Sequence, residues 1–213
     1  IPRISSFEEY KEQYKKSVEN PEKFWDGVAD TFLWKKRWDK TLDWNFEEPN
    51  VKWFINGKLN ITENCIDRHL KDKADKVALI WEPNDPKEES IKVTYNQLHE
   101  NVCKTDNMLK LNGAKKGDRI CLYMPMVLEL AYAVLACARI GAIHSVVFAG
   151  FSAKSLADRI NDASCNLVLT SDGLYRGNKQ IGLKSIVDEA LKNCTSVEKV
   201  IVLKRTGEDV QMH

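Results

Sequence analysis

Two cations three residues apart carry the clearest chemical signal in this sequence. Arg176 and Lys179 flank Gly177 and Asn178 in the run YRGNK. A tight turn between two basic side chains aims both at one spot, and asparagine tolerates left-handed backbone better than most residues. Such a pair suits a phosphate or diphosphate, which it would hold by charge-assisted hydrogen bonds. The competing reading is a solvated loop with ordinary surface charges, and an R-G-x-K taken alone does not separate the two. One unit upstream, IHSVVFAGFSAKSLADRI over 143–160 reads as an apolar strand, Gly150, a serine and an amphipathic helix. A Cβ at Gly150 would block a ligand from approaching the backbone. A turn glycine needed only to leave the strand reads the same way. In an open parallel sheet, ligands gather at the loops beyond the carboxyl ends of strands. Together the two loops point to a phosphorylated, nucleotide-like ligand.

Other constellations are weaker. Cys65 and His69 stand four apart on an expected helix, a spacing that places thiol and imidazole on one face. A metal site needs three or four ligands and no second pair exists, so they read as a buried cysteine and a capping or core histidine. His144, inside an apolar strand, reads as a hydrogen-bonded core histidine. No phosphate loop of the G-x-x-x-x-G-K-[ST] type, no G-x-G-x-x-G after a strand and no G-x-S-x-G elbow occurs. Neither a catalytic residue nor a metal ligand is therefore assigned to the chain.

The elements that must position the two loops begin near residue 76. Apolar strands are expected at 77–81, 119–123, 143–148, 167–170 and 200–203, with helices at 94–112, 127–140, 153–163 and 183–193 between them. Strands alternating with helices predict a five-stranded, mainly parallel α/β sheet with right-handed crossovers. Residues 127–140 are apolar all round, which predicts a helix buried on both sides. Before residue 70 the pattern differs: that part holds Trp25, Trp34, Trp38, Trp44 and Trp53, five of the six tryptophans. Ser6 with Glu9 predicts a capping box, and Asn20-Pro21 a second helix start. Residues 34–60, interrupted by Pro49, read as an irregular, aromatic-pinned wrap, and 63–70 as a short helix. The expected domains are thus 1–70, a helical extension, and 71–213, an α/β unit. No closing element follows the last strand, which predicts a piece of a longer chain.

Composition narrows the class. The chain has 213 residues and a formal net charge of +1, without the strongly basic face that nucleic-acid binding needs. Lys35, Lys36 and Arg37 read as a solvated helix face. Six cysteines without C-x-x-C spacing read as reduced, buried thiols in a cytoplasmic protein. The mixed-charge start is no signal peptide, and the apolar run 127–140 is too short to span a bilayer.

Three blocks carry a family resemblance: VKWFINGKLNITENCIDRHL, GAKKGDRICLYMPMVLELAYAVLACARIGAIHSVVFAGFSAKSLADRI and LVLTSDGLYRGNKQIGLK. They resemble acetyl-CoA synthetase of the adenylate-forming ligase superfamily, nearly end to end, and imply a flavodoxin-like subdomain behind an N-terminal extension. The resemblance implies an AMP-forming ligation with ATP, coenzyme A and Mg2+. Acetate would first attack the α-phosphate of ATP, giving acetyl-adenylate and pyrophosphate, and the thiol of coenzyme A would then displace AMP. It further implies that Phe148 and Gly150 lie beside the pantetheine path, and that Arg176 and Lys179, across Gly177 and Asn178, meet the nucleotide phosphates of coenzyme A. Asn178 departs from the glycine usual at its position. The chain would be about the first third of such an enzyme, without its ATP phosphate loop, acetate pocket and C-terminal lid, and inactive alone. Its partners would be these small molecules and the remainder of its own chain, with no nucleic acid or membrane. A propionyl-CoA synthetase, or a non-catalytic α/β nucleotide-binding module, are the alternatives.

Overall fold

The structure, a computed structural model, describes residues 4–212; the first three residues of the opening segment and His213 lie outside the described residues. The chain divides into two units, one ending at Cys65 and the other beginning at Ile66.

The first unit opens with two helices, α1 (Phe7–Glu19) and α2 (Pro21–Ala29). Ser6 caps α1 by accepting from the Glu9 N–H at 3.1 Å. The expected box is only half made, because the Glu9 carboxylate turns to the backbone N–H and hydroxyl of Ser5 instead. Asn20 caps α2 through Lys23, with Pro21 at its first position, as the sequence signals. The irregular wrap is not observed. An antiparallel hairpin forms instead from β1 (Lys40–Asn45) and β2 (Asn50–Ile55), pairing Leu42 with Trp53 and Trp44 with Val51. Pro49 does not interrupt it, since it sits in the turn, where its missing N–H costs no ladder bond. Trp38, Trp34 and Phe54 meet ring to ring at 4.7–5.6 Å. Asp26 accepts from the Trp38 indole at 2.9 Å and the Thr41 hydroxyl at 2.8 Å, so the polar tips of this aromatic core are satisfied. Lys36 bridges Lys58 and Arg37 pairs with Asp30, so this basic run lies on no helix. A short α3 (Ile61–Cys65) ends the unit.

The second unit begins with a turn of 3-10 helix and the short α4 (Leu70–Lys73), so the single helix expected over 63–70 is broken. Next come β3 (Val77–Trp81) and β4 (Ile91–Thr94), paired antiparallel. The segment at 77–81 is a strand as expected, but it does not join the parallel sheet, which has four strands and not five. The stretch 82–90 between β3 and β4 is too short for the crossover helix that a parallel connection requires, so the chain folds back on itself. Helix α5 (Tyr95–Leu111) follows from the Thr94–Gln97 capping box, complete in both directions at 3.2 and 2.9 Å. Then α and β alternate: β5 (Arg119–Tyr123), α6 (Leu128–Ile140), β6 (Ile143–Val146), α7 (Ala153–Ala163), β7 (Leu167–Ser171), a small hairpin of β8 (Gly173–Arg176) and β9 (Lys179–Gly182), α8 (Leu183–Leu191) and β10 (Lys199–Leu203).

The parallel strands run in the order β10-β7-β5-β6. Counted along the chain this is 2-1-3-4, the flavodoxin-like order, with its reversal between β5 and β7. The fold class is therefore α/β, with a helical, aromatic-rich segment ahead of it. Alternation along β5 serves both faces. Ile120 and Leu122 pack with residues of α5 and α6, while Cys121 and Tyr123 pack with those of α7 and α8. On α6, Tyr132, Ala133, Ala136 and Cys137 are buried, whereas Leu130 and Leu135 are half-buried against the same core. The all-round burial expected of that helix is thus found on one face only. The edge strand β6 leaves Ile143 and Val146 exposed, and His144 is exposed too, not a core histidine. Among the described residues no helix is long and apolar enough to cross a membrane.

Leu122 is fully buried at the middle of the sheet, and Leu111 is almost wholly exposed at the end of α5. Leu122→Ala is expected to lower unfolding free energy by about 2–5 kcal/mol in urea titrations, and Leu111→Ala to change it by less than about 0.5 kcal/mol. Equal effects would contradict the assigned sheet face.

Candidate functional site

Both loops singled out in the sequence lie at the carboxyl end of the parallel sheet, one after β6 and the other after β7. Strand β5 stands between them, so two inter-strand spacings, about 10 Å, separate the strands that carry them. Phe148 and Gly150 are together in the first loop. Gly150 is exposed, but the place of its missing Cβ is not open, because the Phe148 ring occupies it. The glycine lets the Phe148 ring fold across the backbone, where it meets Phe151 edge-on at 5.8 Å. Phe148 itself is 69% exposed. Tyr123, at the end of β5, pins the loop from below by donating its hydroxyl to the Phe151 carbonyl at 2.7 Å. Burial pushes that hydroxyl above the ordinary tyrosine range and keeps it a donor.

The basic loop is the turn of the β8–β9 hairpin, and not a bare connection. Arg176 and Lys179 are direct register partners across a two-residue turn. Gly177 takes the left-handed backbone, with φ +58°, and Asn178 is not among the residues of positive φ. Glycine first in a two-residue turn matches the II′ geometry that suits the twist of a hairpin. The backbone role expected of Asn178 is therefore carried by Gly177, and asparagine in place of glycine at 178 brings no left-handed strain. Directly opposed side chains share one face of a hairpin, and like charges there repel. Both cations are exposed, and among the described residues neither side chain has an acidic partner. Two like charges therefore stand opposite each other at the hairpin tip without an acidic partner among the described residues.

Four further residues brace this hairpin, and nothing in their spacing along the chain announces them. Asn84 donates its amide to the Gly177 carbonyl at 2.9 Å. The Arg205 guanidinium lies 5.2 Å from the Trp81 ring and 5.8 Å from the Tyr175 ring. Trp81 also donates its indole N–H to the Met126 carbonyl at 2.9 Å, beyond the end of β5. Asp172, 1% exposed at the end of β7, accepts from the backbone N–H groups of Gly173, Arg205, Thr206 and Gly207 at 2.7–3.2 Å. Desolvation of Asp172 pushes its carboxyl upward, but the four backbone donors together outweigh it and hold the group below the usual aspartate range. An aspartate one residue past a strand carries no signature in sequence that would mark it as this anchor.

The other titratable candidates do not assemble into a centre. Cys65 is exposed and ends α3, while the His69 ring lies tilted against Tyr95 at 5.1 Å. Among the described residues no three histidine, cysteine or acidic side chains are placed to hold a metal. All six cysteines are free; Cys121 and Cys137 are buried, and burial pushes both thiols up to about 12.

Residues 66–212 match the family model described as AMP-binding enzyme, and residues 10–65 match the one described as acetyl-coenzyme A synthetase N-terminus. The chain belongs to the AMP-binding enzyme family. It is 51% identical over 210 residues to an acetyl-coenzyme A synthetase of Gamma-proteobacterium EBAC31A08, covering 98% of this chain and 32% of that one. To the acetyl-coenzyme A synthetase of Photobacterium profundum it is also 51% identical over 210 residues, with 97% and 32% covered. The chain thus spans about a third of the length of these relatives. Among solved structures, acetoacetyl-CoA synthetase from Streptomyces lividans superposes with a TM-score of 0.84 at 24% identity, over 92% of this chain and 30% of that one, a likeness of fold.

Asp172 has a lowered native pKa, so its stabilising contribution is fully present above the unfolded aspartate value near pH ~4 and fades as pH falls through the lower native value. Asp172→Asn is expected to cost about 1.5–3 kcal/mol at pH 7, because charge-assisted acceptance from backbone is lost. Urea unfolding from pH 7 to pH 2 should show that part of the acid dependence missing in the variant. A variant that follows the same pH curve would contradict the role of the carboxylate.

Proposed function

We propose that this chain is the N-terminal part of an AMP-forming acetate–CoA ligase and that its β8–β9 hairpin receives the phosphates of coenzyme A. The complete enzyme would convert acetate and ATP, with Mg2+, to acetyl-adenylate and pyrophosphate. It would then pass the acetyl group to the thiol of coenzyme A and release AMP. The observation that carries the assignment to coenzyme A is the pair Arg176 and Lys179, opposed across a two-residue turn with no acidic partner among the described residues. Coenzyme A bears a diphosphate and a 3′-phosphate, so an anion meeting both cations neutralises their mutual repulsion as well as binding to each. Phe148, exposed beside Gly150, offers an apolar face one sheet position beyond β5, which suits the less charged part of the same long ligand. In this reading 1–70 serves as the extension and 71–213 as the first α/β subdomain. The partners are the small-molecule substrates and the rest of the enzyme's own chain, and the setting is the cytoplasm. Similarity to acetyl-coenzyme A synthetases supports acetate as the acyl substrate.

In the complete enzyme, Arg176→Ala should raise the KM for coenzyme A by about ten- to a hundredfold, the equivalent of one charge-assisted bond. Acetate-dependent ATP–pyrophosphate exchange should stay near wild type, because coenzyme A enters only after the adenylate forms. Lys179→Ala should act in the same direction but less, since an ammonium lacks the planar fork of a guanidinium. Equal loss of exchange and of overall ligation would instead assign the pair to folding or to ATP.

The chain alone should produce no AMP above background with ATP, acetate, Mg2+ and coenzyme A. Charge neutralisation at the reacting phosphate supplies most of the catalysis in such transfers, and no group for it is assigned in these residues. Turnover by a clean preparation would overturn this expectation.

A further inference from the structure

Arg205 belongs to none of the motifs above, yet its guanidinium touches both sides of the gap between the basic hairpin and the body of the second unit. Trp81 stands on the body side: it ends β3, and its indole N–H is fixed on the Met126 carbonyl. Tyr175 stands on the hairpin side, in β8, one residue before Arg176. The guanidinium lies within 6 Å of both ring centroids, the range in which a cation is attracted to an aromatic face. Its own backbone is fixed as well, because the Arg205 N–H donates to the buried Asp172 carboxylate at 2.8 Å. Farther along, the Lys184 ammonium, 4% exposed, donates to the Gln211 carbonyl at 2.9 Å and ties the same segment down on α8.

From this arrangement we propose that Arg205 is a positioning residue for the β8–β9 hairpin. It grips Tyr175 against Trp81 and so holds the Arg176–Lys179 pair in place before a ligand arrives. A two-stranded hairpin of four-residue strands is marginal by itself. Its two tip cations repel each other, so the hairpin needs outside support to hold them together. The grip supplies that support at Tyr175, and the Asn84 amide supplies it at the turn, on the Gly177 carbonyl. Preorganising the pair lowers the ordering cost of binding, so the benefit is read in affinity for the anion. The proposal rests on the coenzyme A reading of Arg176 and Lys179, and the test separates the two.

Hydrogen exchange on the complete enzyme measures the grip without any ligand. Arg205→Ala is expected to speed exchange of the amides of 175–180 by about three- to thirtyfold, following the range for a cation–π contact, and to leave the β5 and β7 amides unchanged. Tyr175→Leu removes only the ring on the hairpin side and should give the same pattern, which covers the case in which Arg205→Ala fails to fold. Arg205→Lys keeps the charge without the planar stack and should lie between wild type and alanine. The KM for coenzyme A should rise in step with exchange, while ATP–pyrophosphate exchange stays constant. The rise should vanish when Arg176 and Lys179 are already alanine. Unchanged hairpin exchange in Arg205→Ala and Tyr175→Leu would overturn the proposal, as would faster exchange throughout the sheet, which would make Arg205 a general element of the fold. If Arg176→Ala leaves the KM for coenzyme A untouched while Arg205→Ala still frees the hairpin, the ligand reading falls and the grip stands.

Discussion

The buried carboxylate of Asp172 is the interaction on which the carboxyl end of the sheet depends. An ionised group this deep is costly unless its lone pairs are filled, and four backbone N–H groups fill them. Three of those donors come from the segment leaving β10, and the fourth begins β8. The Asp172 carbonyl accepts from Leu183 and Lys184 as α8 starts. The exit of one strand, the root of a hairpin and the start of a helix therefore take their places from one residue. Arg205 can reach the hairpin because its backbone is tied there.

The sheet behind this anchor works on both faces. Crossovers keep one hand, so a connection that reverses direction must move to the opposite face. The passage from β6 back over β5 to β7 does this, placing α7 and α8 opposite α5 and α6. The same reversal sets the Phe148 loop and the basic hairpin on either side of β5. In the first unit the binding of rings to one another, with Asp26 accepting from Trp38 and Thr41, takes the part that a sheet core plays in the second.

Much of this organisation was legible in local residue patterns. Thr94 and Gln97 start α5, Asn20 and Pro21 start α2, and Gly141 ends α6 because those choices act within a few residues of chain. The alternation of strands and helices after residue 119 marked the parallel sheet. Patterning did not show which partner a strand takes. Val77–Trp81 has the same apolar look as Arg119–Tyr123, yet one pairs with the next strand along the chain and the other lies inside a sheet. The hairpin at 40–55 was hidden for a related reason: its strands show no strict apolar–polar alternation, and their pairing emerges only in the folded chain.

At the candidate site the division is the same. Sequence by itself determined the identity and spacing of Arg176, Gly177, Asn178 and Lys179, and a two-residue turn between two cations follows from local backbone chemistry. Only the tertiary structure decided that Gly177 and not Asn178 takes the left-handed backbone, that the Phe148 ring covers Gly150, and that Arg205 meets both Trp81 and Tyr175. Residues 81, 175 and 205 come from three separate segments of the second unit. No local energy links them, and they meet because the fold brings those segments together at the carboxyl end of the sheet.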